Sequence, residues 1–267
     1  EAAKARIEYN ALHDTLTGLP NRRYLDQVLA ERAAEAATNG SSVALLHIDL
    51  DRFKQINDTL GHIAGDAMLV HAAELLRRNL GPGDFVARVG GDEFIIVCSY
   101  SGGENRLIEL ARTIVEQMRQ PVPYHGHFCR FGASVGIAAQ HGKGVEPMRL
   151  MIDADIALYR AKARGKNGFE FFSEALQAEA VHTKRLADEI LQGIEQDEFL
   201  PWYQPLFDAR TMEMCGVEAL ARWQHPTEGV LPPSRFLSVA EDLNVVTSID
   251  SVILHKALDD FCRWREA

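Results

Sequence analysis

Hydrophobic positions along the chain switch between two periods. Residues 1–14, "EAAKARIEYNALHD", follow a helical spacing, and Pro20 and Asn21 then open a second helix that Gly40 closes. "SSVALLHIDLDRF" breaks that period: Val43, Leu45 and the "LLHI" run predict a buried strand ending near Asp51. Met68, Leu69, Ala72, Leu75, Leu76 and Leu80 return to helical spacing, and Gly81-Pro82-Gly83 stops them. Two β-rich runs, 84–89 and 93–100, are joined by Gly90, Gly91 and Asp92, which predicts a hairpin with positive φ at its turn.

The same reading predicts a helix over 103–120, a strand over 129–140, a helix over 146–165 closed by Gly165, and the end of a first unit at "FEFF", Phe169 to Phe172. From Ser173 to Phe199 one helix is expected, with Leu186, Ile190 and Ile194 on one stripe. Strands over 199–208 and 214–226 then begin a second unit. No internal repeat or low-complexity tract interrupts the pattern.

Composition narrows the class. With 267 residues, 46% of them hydrophobic and 25% charged, the chain can bury a sizeable core and form one large or two ordinary domains, which predicts a soluble globular protein. The longest apolar runs fall far short of the roughly 18 residues that span a membrane, and no signal peptide opens the chain. Glu1 stands where an initiator methionine would, so the chain reads as a piece of a longer protein, with room for a membrane anchor outside it. Cys98, Cys129, Cys215 and Cys262 have neither CxxC nor zinc-type spacing, which predicts buried thiols in a reducing, cytoplasmic setting. A net charge of −10 argues against broad nucleic-acid binding, although a local group of Lys and Arg can still hold a nucleotide's phosphates.

Candidate chemistry sits at the acids. Asp49 and Asp51 share a face of their strand because side chains alternate with period two, and the hairpin tip brings Asp92 and Glu93. If the two strands are neighbours, Asp49 and Asp92 converge at one sheet edge and offer hard oxygen ligands to Mg²⁺ or Mn²⁺, ions that favour carboxylates plus substrate phosphates. Near Asp49 lie Lys54, Asn57, His62 and Asp66, and Lys162 and Lys166 supply charge for phosphates. Neither GxxxxGK[ST] nor a GxGxxG after a strand occurs, so a P-loop or dinucleotide fold has no sequence support.

Four ordered stretches, "TLTGLPNR" (15–22), "DLDRFKQINDTLGHIAGD" (49–66), "RVGGDEF" (88–94) and "DIALYRAKARGKN" (155–167), resemble the GGDEF domain of diguanylate cyclases. The resemblance covers about His13 to Phe172. It implies an α+β fold, a mostly antiparallel sheet wrapped by helices and akin to the nucleotidyl cyclases and polymerase palm. It further implies that Asp49, Asp92 and the backbone carbonyl of Leu50 hold the metal, with Asp92 and the adjacent acid Glu93 as the catalytic pair and Glu93 either a second metal ligand or a group just behind the ligands. Asn57 and Asp66 match the family's guanine readers, with His62 beside them. Lys54, Lys162, Lys166 and the backbone amides around Arg52 and Phe53 match positions that hold phosphates. One departure stands out. The family's product-inhibition site uses an RxxD pattern, and here it reads Gly81-Pro82-Gly83-Asp84, an Asp without its Arg.

From about His182 the chain resembles the start of an EAL domain, the cyclic di-GMP phosphodiesterase, through "WYQPLFD" (202–208) and "GVEALARWQHP" (216–226). In that family Glu218 of the Glu218-Ala219-Leu220 motif ligates metal, and Gln204 and Arg222 contact substrate. Its TIM-like barrel needs about 250 residues, so the part to Ala267 is an incomplete barrel segment with no expected hydrolytic activity of its own.

The expected organisation is an upstream signalling helix or linker (1–12), a GGDEF domain (13–172), a linker helix (173–181) and the N-terminal portion of an EAL domain (182–267). The expected activity is condensation of two GTP into cyclic di-GMP and two pyrophosphates across a homodimer. The alternative is a GTP-binding module that regulates an EAL phosphodiesterase. Nucleic acid is not expected as a partner, nor is a membrane segment in this chain.

Overall fold

The computed structural model describes residues 9–100 and 103–266. Most of the expected first helix, 1–14, lies outside them; residues 9–12 are helical. The chain divides into two compact units between Gln177 and Ala178.

The first unit is built on β1 (Ser42–Asp51). A five-stranded sheet runs in the order β2-β3-β1-β6-β7, with β2 spanning Phe85–Gly90, β3 Glu93–Tyr100, β6 Gly132–His141 and β7 Phe169–Phe171. All pairings are antiparallel except β6 with β7. Helices cover both faces, so β1 is buried along nearly its whole length. Its even positions, Ala44, Leu46, Ile48 and Leu50, pack with α3 (His62–Asn79) and α4 (Asn105–Met118) through Met68, Leu76, Leu107 and Ile114. Its odd positions Val43 and Leu45 pack with α1 (Arg22–Asn39) and α5 (Pro147–Ala163) through Leu25, Leu29, Leu150 and Ala154. Past Leu45 the odd face turns polar, with His47, Asp49 and Asp51.

Local signals behave as their chemistry requires. The Asn21 side chain caps α1 by accepting from the Tyr24 N–H, and Gly40 ends it at φ 72° in the left-handed region. The β2–β3 turn contains Gly91 at φ 34°, as the hairpin expectation requires.

Several elements escape the periodicity reading. α2 (Phe53–Leu60) is only eight residues long and buries just Phe53 and Ile56, too short a stretch for a helical period to emerge. Cys129 belongs to a separate hairpin of β4 (Val122–Tyr124) and β5 (His127–Cys129), so the strand expected from 129 starts at Gly132. Of the four thiols expected to be buried, Cys98 and Cys129 are, while Cys215 and Cys262 are exposed. The helix expected to reach Phe199 is α6 (Glu174–Glu195); Asp197 then turns the backbone at φ 60°, and Phe199 opens β8.

The second unit holds a three-stranded sheet, β10-β9-β8, with β8 over Phe199–Phe207, β9 over Met214–His225 and β10 over Gly229–Leu231. α7 (Leu237–Asp242) and α8 (Val246–Glu266) follow. Trp223, Phe199 and Phe236 form an aromatic nucleus with Ile190 and Ile249. Both long strands leave apolar side chains exposed, Trp202, Phe207, Met214 and Val217 among them.

β6 and α5 approach each other backbone to backbone. A Cβ on Gly136 would collide with the Ala154 carbonyl and the Leu158 amide, both of them backbone. Gly136→Ala is expected to destabilise the chain by about 3 kcal/mol, since backbone cannot step aside as a side-chain tip does. Urea unfolding should show a lower midpoint with an unchanged slope.

Candidate functional site

Pairing β1 with β3 places Asp49 directly opposite Glu93, and the Leu50 N–H donates to the Asp92 carbonyl at 3.2 Å. The acids therefore do converge, but at the end of the sheet rather than along its lateral edge, because β1 is the central strand. Lys162, from the last turn of α5, reaches the same point and pairs with Asp49 Oδ2 at 2.6 Å. Burial pushes the Asp92 carboxyl above its ordinary range, and the neighbouring Asp49 charge pushes it further, with Lys162 opposing.

Two carboxylates close enough to repel, backed by a carbonyl, suit a hard divalent cation that takes its remaining oxygens from phosphates and water. No cluster of three or more His, Cys, Asp or Glu forms a complete cage among the described residues. Asp49, Asp92 and the Leu50 carbonyl could therefore supply only part of a divalent cation's coordination.

The hairpin tip is held from behind. Arg88 donates to the Gly91 carbonyl through Nε at 3.0 Å and Nη2 at 2.6 Å, and its Nη1 pairs with Asp14 at 3.0 Å. Asp14 also accepts from the Thr17 N–H and hydroxyl. Burial raises the pKa of its carboxyl, but the bonds from Thr17 and Arg88 outweigh this and hold it below the usual range. The "TLTGLPN" stretch is therefore a brace for the signature turn.

Asp51 shares Asp49's face yet does a different job. Fully buried, it accepts from the Ser134 hydroxyl at 2.8 Å and the Asn167 N–H at 2.8 Å. Asn167 and Lys166 both sit at positive φ, 50° and 65°, so Asp51 fixes a strained turn that sets the position of Lys166. His47 lies deeper on the same face, 3.8 Å from Glu93 and 3.5 Å from Asp155. Burial holds its imidazole below the usual pKa against the pull of those acids. The sequence reading missed Arg88, His47 and the anchoring role of Asp51, because only the fold shows what these side chains touch.

The remaining candidates cluster around α2 and α3. Lys54 is exposed on the first turn of α2, Asn57 is half-buried on its second, and His62 and Asp66 are exposed on α3. A Cβ on Gly65 would collide with the Asn57 side-chain oxygen, so the glycine leaves room for that amide beside Asp66. Arg52 begins α2 in the left-handed region at φ 63°, and the Phe53 side chain is buried in the core. At the altered inhibition motif, Asp84 accepts from the Gly81 N–H at 2.8 Å and pairs with Arg106 at 2.5 Å. A guanidinium from α4 thus meets the Asp that lacks its motif partner.

In the second unit the β8–β9 register sets Gln204 opposite Glu218 and Trp202 opposite Leu220. The Arg222 guanidinium lies 5.6 Å from the Trp202 ring centre. Period-two alternation puts these side chains on one face. Tyr203, on the other, donates its hydroxyl to Asp260 and meets Trp264 edge-on.

Comparison with known proteins gives matching assignments. Residues 11–168 match the family described as "Diguanylate cyclase, GGDEF domain", and residues 187–267 match the "EAL domain" family. The chain is 38% identical, over 95% of its length, to the bifunctional diguanylate cyclase/cyclic di-GMP phosphodiesterase MucR of Pseudomonas aeruginosa, and covers 37% of it. It is 34% identical, over 97% of its length, to the cyclic di-GMP phosphodiesterase NbdA of the same organism, and covers 33% of it. The chain thus spans little more than a third of these relatives. Among solved structures, the GGDEF domain of PA1120 (TpbB or YfiN) from P. aeruginosa superposes with a TM-score of 0.59 at 35% identity, covering 62% of this chain and 97% of that one.

Two outcomes follow from the geometry. Asp92→Asn should raise the melting temperature at pH 7, because a carboxyl whose folded pKa is raised costs stability once it ionises. The gain should vanish as pH falls through about 4, where the parent carboxyl is protonated in folded and unfolded chains alike. Scans of both proteins from pH 3.5 to 8 measure it. Gly65→Ala should displace the Asn57 amide and, if that amide reads guanine as the GGDEF resemblance implies, weaken GTP binding, titrated with Ca²⁺ as a non-reactive metal, about tenfold, the equivalent of one lost hydrogen bond. In an Asn57→Ala background the same change should have no further effect on binding.

Proposed function

The chain belongs to the GGDEF family of diguanylate cyclases and continues into part of an EAL domain, and on that footing we propose that its first unit condenses two GTP into cyclic di-GMP. The observation that carries the reading is the convergence of Asp49, Asp92 and Lys162 at one end of the sheet. Asp49 pairs with Lys162, but burial and the neighbouring Asp49 charge make an ionised Asp92 costly to the fold. Cyclases of this family are metal-dependent, which gives such a cluster its use.

In this reading each of two copies holds one GTP. Asn57 and Asp66 pair with guanine's donor and acceptor edge, with His62 beside them. Lys54, Lys162, Lys166 and the amides around Arg52 and Phe53 hold the phosphates. A divalent cation at Asp49, Asp92 and the Leu50 carbonyl would neutralise α-phosphate charge and lower the pKa of the attacking hydroxyl. Glu93 adds negative charge beside it. The 3′-oxygen on one copy bonds to the α-phosphorus on the other as the bond to the β-phosphate bridge breaks, and pyrophosphate leaves. Repeating the step in the opposite direction closes the ring. Catalysis is then mostly positioning and charge neutralisation, with no covalent enzyme intermediate.

The second reading, a GTP-binding module that regulates an EAL phosphodiesterase, draws on the relative named a cyclic di-GMP phosphodiesterase. For the EAL segment, Glu218 as a metal ligand and Gln204 and Arg222 as substrate contacts, with Leu220 beside them, fit the single face that carries them.

Incubating the chain with GTP and Mg²⁺ and resolving nucleotides by chromatography separates the readings. Cyclic di-GMP and pyrophosphate are expected, with Asp92→Asn losing at least about a hundredfold in rate. GTP binding without product selects the regulatory reading, and parent-level turnover by Asp92→Asn rejects the metal assignment.

A further inference from the structure

The left-handed conformation of Arg52, φ 63°, starts α2, and the residue lines a cavity of about 390 Å³ between α2 and the β4–β5 hairpin. The opposite wall carries Arg130 and Phe128. Across α2, the residues facing this cavity include Gln55 and Thr59. At 100° per residue Lys54 and Asn57 point to the other side of the helix, so the cavity is separate from the site described above.

Three features give it a chemical character. The chain carries 38 acids and a net charge of −10, yet no Asp or Glu lines this cavity. No carboxylate among the described residues pairs with either guanidinium, although Arg88, Arg106, Arg149 and Arg164 all have acid partners. Phe128 is 69% exposed at the rim, on a hairpin whose turn at His125 and Gly126 takes positive φ, 44° and 82°. An aromatic side chain left in water beside two unpaired planar cations presents a stacking surface and two phosphate forks at once.

We propose that this cavity binds a small anionic ligand with a flat ring, of mononucleotide size, with phosphate on Arg52 and Arg130, the ring on Phe128, and Gln55 and Thr59 donating to polar edges. The volume lies in the range of small-molecule sites. This goes beyond the GTP site and does not depend on it.

AMP titrated into the chain in EDTA is a direct probe, since the GTP site as proposed requires metal and guanine. Saturable one-to-one binding is expected, with adenosine and inorganic phosphate each at least about tenfold weaker. Arg130→Glu should weaken AMP at least about tenfold and Phe128→Ala severalfold, while GTP binding with Ca²⁺ stays unchanged in both. Both side chains are exposed, so circular dichroism should show parent folding. Absence of saturation at millimolar AMP, or AMP binding indifferent to both changes, overturns the proposal. Binding lost in Asp66→Ala but kept in Arg130→Glu would place the AMP in the GTP site and overturn it equally. Tight capture of an acidic peptide in place of AMP rejects the nucleotide class.

Discussion

The structure turns on the central position of one strand. β1 is hydrogen-bonded on both sides and covered by helices on both faces, so its register against β3 and β6 has no slack. A slip by one residue would drive Val43 and Leu45 out of one core and His47, Asp49 and Asp51 into the other. The apolar positions at the start of the strand therefore fix where the acids at its end emerge. Because β3 is the adjacent strand, the same register delivers the hairpin tip with Asp92 and Glu93. Packing energy spent in the core thus becomes positional precision at the site.

That placement works against stability. Burial and the Asp49 charge both disfavour ionised Asp92, and Lys162 offsets only part of this. The surrounding fold tolerates the cost by bracing the turn independently. Arg88 grips the Gly91 carbonyl and Asp14 together, and Asp51 ties the Lys166–Asn167 turn to the sheet through Ser134 and a backbone amide. Neither brace uses Asp49 or Asp92, and Asp49 instead carries the ion pair with Lys162. Local strain at Lys166 and Asn167 fits a region held for function rather than for fold.

The second unit has a different balance. Its aromatic nucleus around Trp223 is fully buried, but β8 and β9 expose Trp202, Phe207, Met214 and Val217. Gln204, Glu218 and Arg222 share a strand face with some of these apolar side chains. The three strands pair antiparallel, and the face that mixes apolar bulk with these polar groups is left open to solvent.

Much of this was legible in the sequence because it depends on neighbours along the chain. Asn21 capping α1, Gly40 ending it, the hairpin around Gly91 and the shared face of Asp49 and Asp51 follow from backbone rules that act over a few residues. The site residues were legible through ordered motifs, which fix residue identities and order but not distances. What the sequence could not decide is which side chains meet. α2 was too short for its period to show, Asp51 and Asp49 share a face yet find different partners, and Asp84 meets Arg106 from a helix 22 residues on. The cavity between Arg52 and Arg130 is likewise invisible in one dimension. Periodicity and local propensity determined the elements and the face each residue takes. Only tertiary packing decided strand order, and with it which charges end up paired, repelling or unmatched, because electrostatic energy depends on distance in space and not on separation along the chain.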